Sequence, residues 1–249
     1  MEPFVALMRR YVIDYTNSHD LSVCDEIMEP GYLVHIAGWA LERDAMYKPA
    51  VESIFARFPG LCLAIHEIVT NGERLAMRFA EHAADAEGRA CCWAGIALYR
   101  WNGTRLTECR VEQDFLAQRR QLASGVAAAL EPPHLDPWTT TRAVPRDESA
   151  EGVVAEWLRA GGFAAEEATL TPKTIEVLDL FSAGPRVAFH ASVEGAYRGG
   201  LPDCDAHRGE EARLLLAGIA TVEGGRVADV KLVADRLGTW SRLTGQPMF

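Results

Sequence analysis

One long segment of the chain occurs twice, and this internal repeat is the feature that most constrains the fold. The sequence Ala-Gly-Ile-Ala at positions 94–97 recurs at 217–220, which is 123 positions later. Beyond the next polar turn, Asp114 recurs as Asp235, only 121 positions later. Two copies of about a hundred residues predict paired domains rather than a solenoid of short repeats. The change of offset predicts a turn that is two residues shorter in the second copy.

The repeat divides the chain into two predicted domains. A chain of 249 residues can hold two small domains. With 49% hydrophobic and 24% charged residues, both can bury a core. We predict a first domain over 1–122, a linker over 123–149 and a second domain over 150–249. The linker is rich in alanine and proline, and we expect Leu135 and Trp138 to hold it against a surface.

Periodicity predicts three helices followed by an antiparallel meander in the first domain. Helical spacing of apolar residues predicts helices at 4–18, 22–28 and 43–58, with Asp20 capping the second and a short strand at 32–36. From residue 61 onward the period is two, which predicts strands at 62–69, 74–83, 89–101 and 105–115. This order predicts the α+β class, a curved antiparallel sheet with helices on one face.

The second domain is predicted to be a reduced copy of the first. One helix over 150–159 precedes strands over 174–180, 186–193, 212–222 and 226–233. Residues 74–77 of the first copy are echoed by residues 186–189. Most of the segment equivalent to 25–60 is missing, so the helices that would close a pocket are reduced or absent. We therefore expect a single complete pocket, in the first domain.

Composition argues against several classes of partner and cofactor. The net charge of −10 is unsuited to a nucleic-acid backbone. Six cysteines show neither disulfide nor zinc spacing, and no glycine-rich loop precedes a helix, so we expect no metal and no cofactor. No stretch approaches the ~20 apolar residues of a membrane span, and no signal peptide is evident. We expect a cytoplasmic protein.

Three short stretches of the first domain point to a known superfamily. They are Arg10-Tyr11-Val12, the sequence Val-His-Ile-Ala-Gly at 34–38, and the strand and turn at 96–103 followed by Glu108, Asp114, Gln121 and Leu122. In them the chain resembles the nuclear transport factor 2-like superfamily, which includes ketosteroid isomerase, limonene-epoxide hydrolase and the SnoaL-like polyketide cyclases. The likeness covers most of 4–122 and part of 150–243. It implies two tandem domains of that fold, packed sheet against sheet as a pseudo-dimer.

The resemblance also implies roles for individual residues. Tyr11 lies where the isomerase tyrosine donates to the substrate oxyanion, and His35 lies where that family has its base. Asp114 matches the aspartate of the SnoaL-like cyclases. The strand histidine of those cyclases falls on Asp85, with His82 three residues earlier, and the choice stays open. Two departures argue against individual relatives. Ala97 replaces an oxyanion-hole aspartate of the isomerase. Glu112 falls near one aspartate of the hydrolase Asp-Arg-Asp set, but Arg78 and Asp85 match the other two members only loosely.

Three charged residues near the end of the fourth strand form the predicted catalytic face. Arg110, Glu112 and Asp114 alternate, so their side chains share one face of the sheet. If that face is the concave one, they point into a pocket, where carboxylates have raised pKa values and can act as general bases. The predicted substrate-binding residues are aromatic: Trp39, Phe55, Phe58, Trp93 and Tyr99. The alternative is a solvated face with paired charges, because a shift of one residue inverts the assignment.

Three functions fit these patterns. The first is a cofactor-free enzyme that uses acid–base chemistry to cyclise, isomerise or dehydrate a small hydrophobic carbonyl or polyketide-like compound. The second is an epoxide hydrolase or epoxide-opening cyclase. The third is a non-catalytic ligand-binding or scaffold protein. We favour the first, with Asp114 as base or its charge partner, His35 orienting the proton and Tyr11 as oxyanion donor. His35 and Tyr11 equally suit structural roles, as a satisfied strand histidine and a core tyrosine.

Overall fold

Within residues 1–248, ten strands form two sheets that pack face to face. The computed structural model describes residues 1–248. The strands are β1 Met28–Ile36, β2 Trp39–Glu42, β3 Cys62–Thr70, β4 Arg74–Ala84, β5 Ala90–Trp101, β6 Leu106–Gln113, β7 Leu170–Ala183, β8 Arg186–Tyr197, β9 Glu211–Glu223 and β10 Arg226–Ala234. Sheet 1 has the order β2-β1-β6-β5-β4-β3, and sheet 2 has the order β10-β9-β8-β7. The predicted α+β class with tandem sheets is confirmed.

Seven α-helices accompany the sheets within the described part of the chain. They are α1 Pro3–Arg9, which continues as a π-helix over Arg10–Thr16, α2 Cys24–Ile27, α3 Lys48–Arg57, α4 Phe115–Ser124, α5 Pro137–Thr140, α6 Glu148–Arg159 and α7 Arg236–Thr244. As predicted, the Asp20 side chain caps the turn before α2 by accepting from the Ser22 amide at 2.9 Å. Over residues 1–248, no helix has the length and apolar character needed to cross a membrane.

Sheet 1 differs from a pure antiparallel meander in one pair. All neighbouring strands are antiparallel except β1 and β6, which run parallel. The short strand β2 and the helices α4 and α7, which follow β6 and β10, were not predicted from the sequence. Each of these helices begins at an aspartate, Asp114 or Asp235, whose carboxylate accepts a backbone amide of the first turn. The predicted strand 105–115 included Asp114, although aspartate is a preferred residue at a helix start.

The two faces of sheet 1 are covered by different parts of the chain. One face packs against α1, α2 and α3, and we call it the helix-covered face; its core contains Met8, Tyr32, Met77, Ala97 and Val111. The opposite face packs against sheet 2, and we call this sheet-on-sheet junction the seam. Its core is formed by Val69, Ala76, Ile96 and Leu98 with Phe181, Ala183, Ala188, Ala217, Ile219 and Val233. Because strand side chains alternate, each position of β4 to β6 belongs to one face only.

Corresponding β-bulges show how the two sheets align. The β3–β4 register shifts between Ile65 and Glu67, and the β7–β8 register shifts between Val177 and Asp179, each 112 residues later. On the other side, the β5–β6 register shifts on β6 between residues 106 and 108, and the β9–β10 register shifts on β10 between 227 and 229, each 121 residues later. The pairing of β3 to β6 in sheet 1 therefore repeats as the pairing of β7 to β10 in sheet 2.

This alignment corrects the predicted shortening of the turn. Trp101 pairs with Leu106 and Val222 pairs with Val227, so the two hairpins have equal length. The offset of 121 therefore holds on both sides of the turn, and the Ala-Gly-Ile-Ala motif at 217–220 lies two positions beyond the structural equivalent of 94–97. The short motif misled the alignment because small residues suit several positions of a closely packed face.

The seam has an approximate two-fold symmetry. Arg74 pairs with Asp179, and Arg186 pairs with Glu67. Arg186 is the equivalent of Arg74, and Asp179 is the equivalent of Glu67, both at an offset of 112. A contact of residue i with j that recurs as j with i is the mark of an isologous two-fold interface. The halves are therefore arranged like the two subunits of a symmetric dimer.

The segment between the sheets lies along the edge strand β3. The His134 amide donates to the Ile65 carbonyl at 2.8 Å, and the Val144 amide donates to the Thr70 carbonyl at 3.0 Å. These bonds cover an edge that would otherwise present unpaired backbone groups. Trp138 packs on the helix-covered core as expected. Leu135 does not, because its side chain is fully exposed.

Candidate active site

The predicted catalytic face points into the seam, away from the helices. Cys109 and Val111 belong to the helix-covered core, so the alternating Arg110 and Glu112 lie on the opposite face. The Glu112 carboxylate lies 2.8 Å from His190 of sheet 2. The expectation that Arg110 and Glu112 point into a concave pocket is therefore wrong. Period-two patterning places residues on a common face, but it does not say what covers that face.

Asp114 lies at the end of β6, where its carboxylate already has two partners. One oxygen accepts from the Ala117 amide at 3.1 Å as the N-cap of α4, and the other lies 2.5 Å from an Arg236 guanidinium nitrogen. These contacts tie the start of α4 to the second half of the chain. They give Asp114 a structural role, and its role as a base stays a prediction.

His35 also lies on the seam face, at its half-exposed edge. Its Nε2 is 3.2 Å from the Glu108 carboxylate, which also pairs with Arg110 at 2.8 Å. Burial, and next the nearby Arg110 guanidinium, lower the pKa of His35. His35, Glu112 and Arg110 are thus on the same face, but Tyr11 lies on the other side of sheet 1.

Tyr11 is buried on the helix-covered side in a chain of three hydroxyls. The hydroxyls of Tyr11 and Tyr15 each lie 2.9 Å from that of Tyr47. The Tyr11 ring also packs edge-on against Tyr99, at 5.6 Å between centroids. Burial raises the pKa of Tyr11 well above its usual value. The position suits the predicted oxyanion donor, but its hydroxyl is already bonded within the protein.

The predicted substrate-binding aromatic residues divide into three environments. Trp39 is 63% exposed on β2, so it does not line a pocket as expected. Phe55 stacks on His19 at 4.0 Å between ring centroids. Phe58 and Trp93 are buried and contact each other at 6.1 Å between centroids, at the end of the helix-covered face near α4.

The residues compared with the epoxide-hydrolase set do not surround a common point. Arg78 forms two hydrogen bonds with Glu131, at 2.6 and 2.8 Å. Asp85 pairs with Arg89 in the β4–β5 turn. Glu112 bonds His190 in the seam. His82 lies between β3 and β5 on the seam face, where burial and nearby His66 lower its pKa.

A carboxyl group that sequence reasoning missed lies on the helix-covered face. Glu81 alternates with the buried Phe79 on β4 and pairs across the sheet with Trp93. The Trp93 indole N–H donates to the Gln113 side-chain oxygen at 2.6 Å, and the Gln113 side chain lies near enough to Glu81 to affect its pKa. Three adjacent strands thus bring an acid, an amide and an indole together on one face.

The environment of Glu81 changes its acid–base behaviour. Burial raises the pKa of Glu81 to about 7, and the nearby Gln113 side chain offsets part of this rise. A carboxyl group that titrates near neutral pH can both take and return a proton. The signal in the sequence is a lone acid among the apolar residues that alternate along β4. Its weight becomes clear only once that face is known to be the helix-covered one.

Two cavities are lined neither by Glu81 and its neighbours nor by the seam residues His35, Arg110 and Glu112. One, of about 320 Å³, lies between α3, α4 and α7 and is lined by Arg57, Phe115, Gln118, Arg119, Leu122, Leu237, Pro247 and Met248. The other, of about 350 Å³, lies at the end of β8 and β9 and is lined by Glu194, Glu210, Glu211, Ala212, Arg213, Arg242 and Leu243. Residues 1–248 contain no cluster of three or more His, Cys, Asp or Glu side chains arranged to hold a metal ion.

Comparison with known proteins identifies the family of the first half. Residues 6–122 match the family of SnoaL-like polyketide cyclases. No curated protein sequence matches the chain.

Solved structures with similar folds each align with about half of the chain. A proposed polyketide cyclase from Acidithiobacillus ferrooxidans is 22% identical over 49% of this chain and 94% of its own, with a TM-score of 0.43. IdmH, a proposed polyketide cyclase from Streptomyces antibioticus, is 19% identical over 49% and 99%, with a TM-score of 0.45. AclR, a proposed hydroxylase from Streptomyces galilaeus, is 19% identical over 48% and 94%, with a TM-score of 0.44. These values are too low for the solved structures to decide the site or its reaction.

Proposed function

We propose, from the match of residues 6–122 to the SnoaL-like polyketide cyclase family, that the chain is a cofactor-free acid–base enzyme. Its substrate would be a small hydrophobic carbonyl compound of the polyketide type. The observation that carries the proposal is the position of Glu81 on the helix-covered face, opposite Trp93 of the next strand, where burial raises its pKa to about 7. This carboxyl group replaces Asp114 as our candidate base, because the Asp114 carboxylate is committed to α4 and Arg236.

The proposed reaction begins with proton transfer to Glu81. The carboxylate takes a proton from the carbon beside the substrate carbonyl, and the C–H electron pair forms an enolate. In a cyclisation, the enolate carbon then attacks a second carbonyl, whose C=O π bond opens to an alkoxide that takes the proton back from Glu81. In an isomerisation, Glu81 returns the proton to another carbon of the enolate system. If the substrate carries a hydroxyl leaving group, protonated Glu81 supplies the proton that releases water. A base whose pKa lies near the working pH is suited to both directions of transfer.

Gln113 and Trp93 act in this proposal as positioning residues. The indole N–H holds the Gln113 oxygen at 2.6 Å, which fixes the amide beside Glu81. A base oriented by a second group, which is itself held by a third, is a recurring arrangement in catalytic sites. Phe58, in contact with Trp93, supplies an apolar wall on the same side of the sheet.

Hydrogen exchange at carbon tests this proposal without knowledge of the natural substrate. The probes are 2-tetralone and ethyl benzoylacetate in D₂O, with deuterium incorporation beside the carbonyl followed by NMR. We expect wild-type exchange to increase as pH rises through about 7, the pKa of Glu81. Glu81→Gln should slow exchange at least about a hundredfold, the usual contribution of a general base.

The matched control is Glu87→Gln in the exposed β4–β5 turn. It should leave both the rate and the pH profile unchanged. An unaltered rate in a folded Glu81→Gln protein would exclude Glu81 as the base. If exchange instead stops in Asp114→Asn, Asp114 is the base, as predicted from the sequence.

A non-catalytic ligand-binding protein is the second candidate. It is favoured by the buried Tyr11, Tyr15 and Tyr47 hydroxyls, which already bond to one another on that part of the helix-covered face. Binding of 2-tetralone without any catalysed exchange would support this candidate.

For either function, we propose that the second half serves as a permanent partner, because its sheet covers the seam face of the first half as a dimer subunit would.

A further inference from the structure

One pair of ionisable side chains crosses the seam in a buried position. His190 Nε2 on β8 lies 2.8 Å from Glu112 Oε1 on β6, and the two side chains are 3% and 1% exposed. The other carboxylate oxygen of Glu112 is 3.4 Å from the Ala37 amide in the β1–β2 turn. His190 Nδ1 is buried and has no hydrogen-bond partner within residues 1–248. The pair therefore depends on itself for most of its polar contacts.

The approximate two-fold axis shows that the fold does not require this pair. The equivalent of Glu112 in the second half is Val233, at an offset of 121, and the equivalent of His190 in the first half is Arg78, at an offset of 112. Arg78 instead bonds Glu131 of the segment between the sheets. One side of the seam thus holds a buried acid–histidine pair, and the symmetry-related side holds a valine and an arginine.

Charged groups of both signs surround the pair from every element packed against it. The cations are Arg110 of β6, Arg213 of β9 and Arg242 of α7; the acids are Glu108 of β6, Asp179 of β7 and Asp235 at the start of α7; and His35 of β1 completes the set. Burial raises the pKa of Glu112 to about 8, and burial with the Arg110 charge lowers the pKa of His190 to about 4. Both effects disfavour a net charge on the pair.

We infer that Glu112 and His190 form a one-proton site that joins the two halves of the chain across the seam. A second proton would make the buried pair cationic beside three guanidinium groups. Loss of the remaining proton would leave a buried carboxylate next to Asp235. An uncompensated buried charge is strongly unfavourable, whereas a single proton shared over 2.8 Å keeps the pair neutral overall. Because the pair is coupled, the proton belongs to the pair rather than to either residue.

Such a site makes the stability of the folded chain depend on pH in a defined way. In the unfolded chain, the carboxyl and the imidazole titrate at their ordinary values of 4.5 and 6.5. Between these values both states hold one proton, so stability is level. From 6.5 to about 8 only the folded state keeps the proton, and the unfolding equilibrium constant should increase about tenfold per pH unit, or about thirtyfold in all. Stability is therefore lost as pH rises through this window.

Single and double variants of the full chain test the site. Urea unfolding is measured from pH 4 to 9 for wild type, Glu112→Gln, His190→Gln and the double variant, and each profile is referred to the double variant so that other titrating groups cancel. Wild type should be level to about 6.5 and then lose stability. In His190→Gln the loss should begin near 4.5, because only the carboxyl titrates. In Glu112→Gln stability should increase up to about 6.5 and then stay level.

Proton release on unfolding gives a second measurement. Near pH 7, wild type should release about one proton more than Glu112→Gln, which keeps the shape of the side chain and the hydrogen bond to His190. If His190→Gln does not fold, the proton release of wild type and Glu112→Gln still tests the one-proton site. Equal proton release, or parallel pH profiles for the two single variants, would overturn the one-proton site and leave an ordinary polar contact.

Discussion

Replacement of Asp179 by Asn should destabilise the chain far more than the symmetry-related change Glu67→Gln. The Asp179 side chain is only 4% exposed, and its carboxylate pairs with Arg74 and, at 2.9 Å, with Arg100. Burial lowers the pKa of Arg74, and the Asp179 carboxylate opposes this effect because it stabilises the guanidinium charge. Glu67 holds the equivalent position, but its side chain is 24% exposed and water can solvate it.

Burial sets the expected magnitudes. Removing one partner of a buried pair leaves an uncompensated charge and costs about 3–5 kcal/mol. The Arg100 side chain is 44% exposed, so its half of the network adds little, and the lower end of this range is expected. For Glu67→Gln, the partly exposed pair with Arg186 is worth about 1 kcal/mol or less. Against a typical stability of about 5–15 kcal/mol, the first change is large and the second is small.

Urea unfolding followed by circular dichroism at constant pH measures both variants. The two substitutions are matched, since each replaces one carboxylate oxygen by an amide nitrogen at equivalent sites of the same seam. Similar m-values for all three proteins would show that the unfolding transition is the same. Equal losses of stability in the two variants would refute the reasoning, because burial would then not decide the strength of the seam pairs.

Three further outcomes are expected. Burial raises the pKa of Asp235 to about 7, so its contribution to stability is present at low pH and is lost between about pH 4 and 7; Asp235→Asn should abolish this loss in urea unfolding across that range. Gly95→Ala should cost about 1–3 kcal/mol, because the new Cβ would lie 2.3 Å from the Phe79 ring. Adding Phe79→Leu to Gly95→Ala should recover part of that cost. The control is Gly152→Ala in α6, which has open space around it and should stabilise the protein by roughly 0.5–1 kcal/mol. Asp114→Asn should keep the α4 cap and change thermal stability by less than about 1 kcal/mol, and a larger loss would show that the Arg236 pair dominates.

Local periodicity was sufficient to predict the class of the fold. The alternation of apolar residues from position 61 onward placed four strands of sheet 1 close to their observed bounds, and the helical spacing near the N-terminus placed α1. Asp20 was recognised as a cap because an N-cap is made by the chain within a few residues. The repeat was also visible, although its register was two positions off on one side of the turn.

Tertiary structure alone decided which face of each strand meets which partner. Alternation showed that Arg110 and Glu112 share a face, but only the packing of sheet 2 showed what covers that face. Glu81, on the opposite face of sheet 1, is the acid that lies beside the helices. His190 and Glu112 are 78 residues apart in sequence, so no local pattern connects them. Whether a carboxyl group has an ordinary or a raised pKa depends on how much water and charge surround it, and those surroundings exist only once the two sheets and the helices have packed.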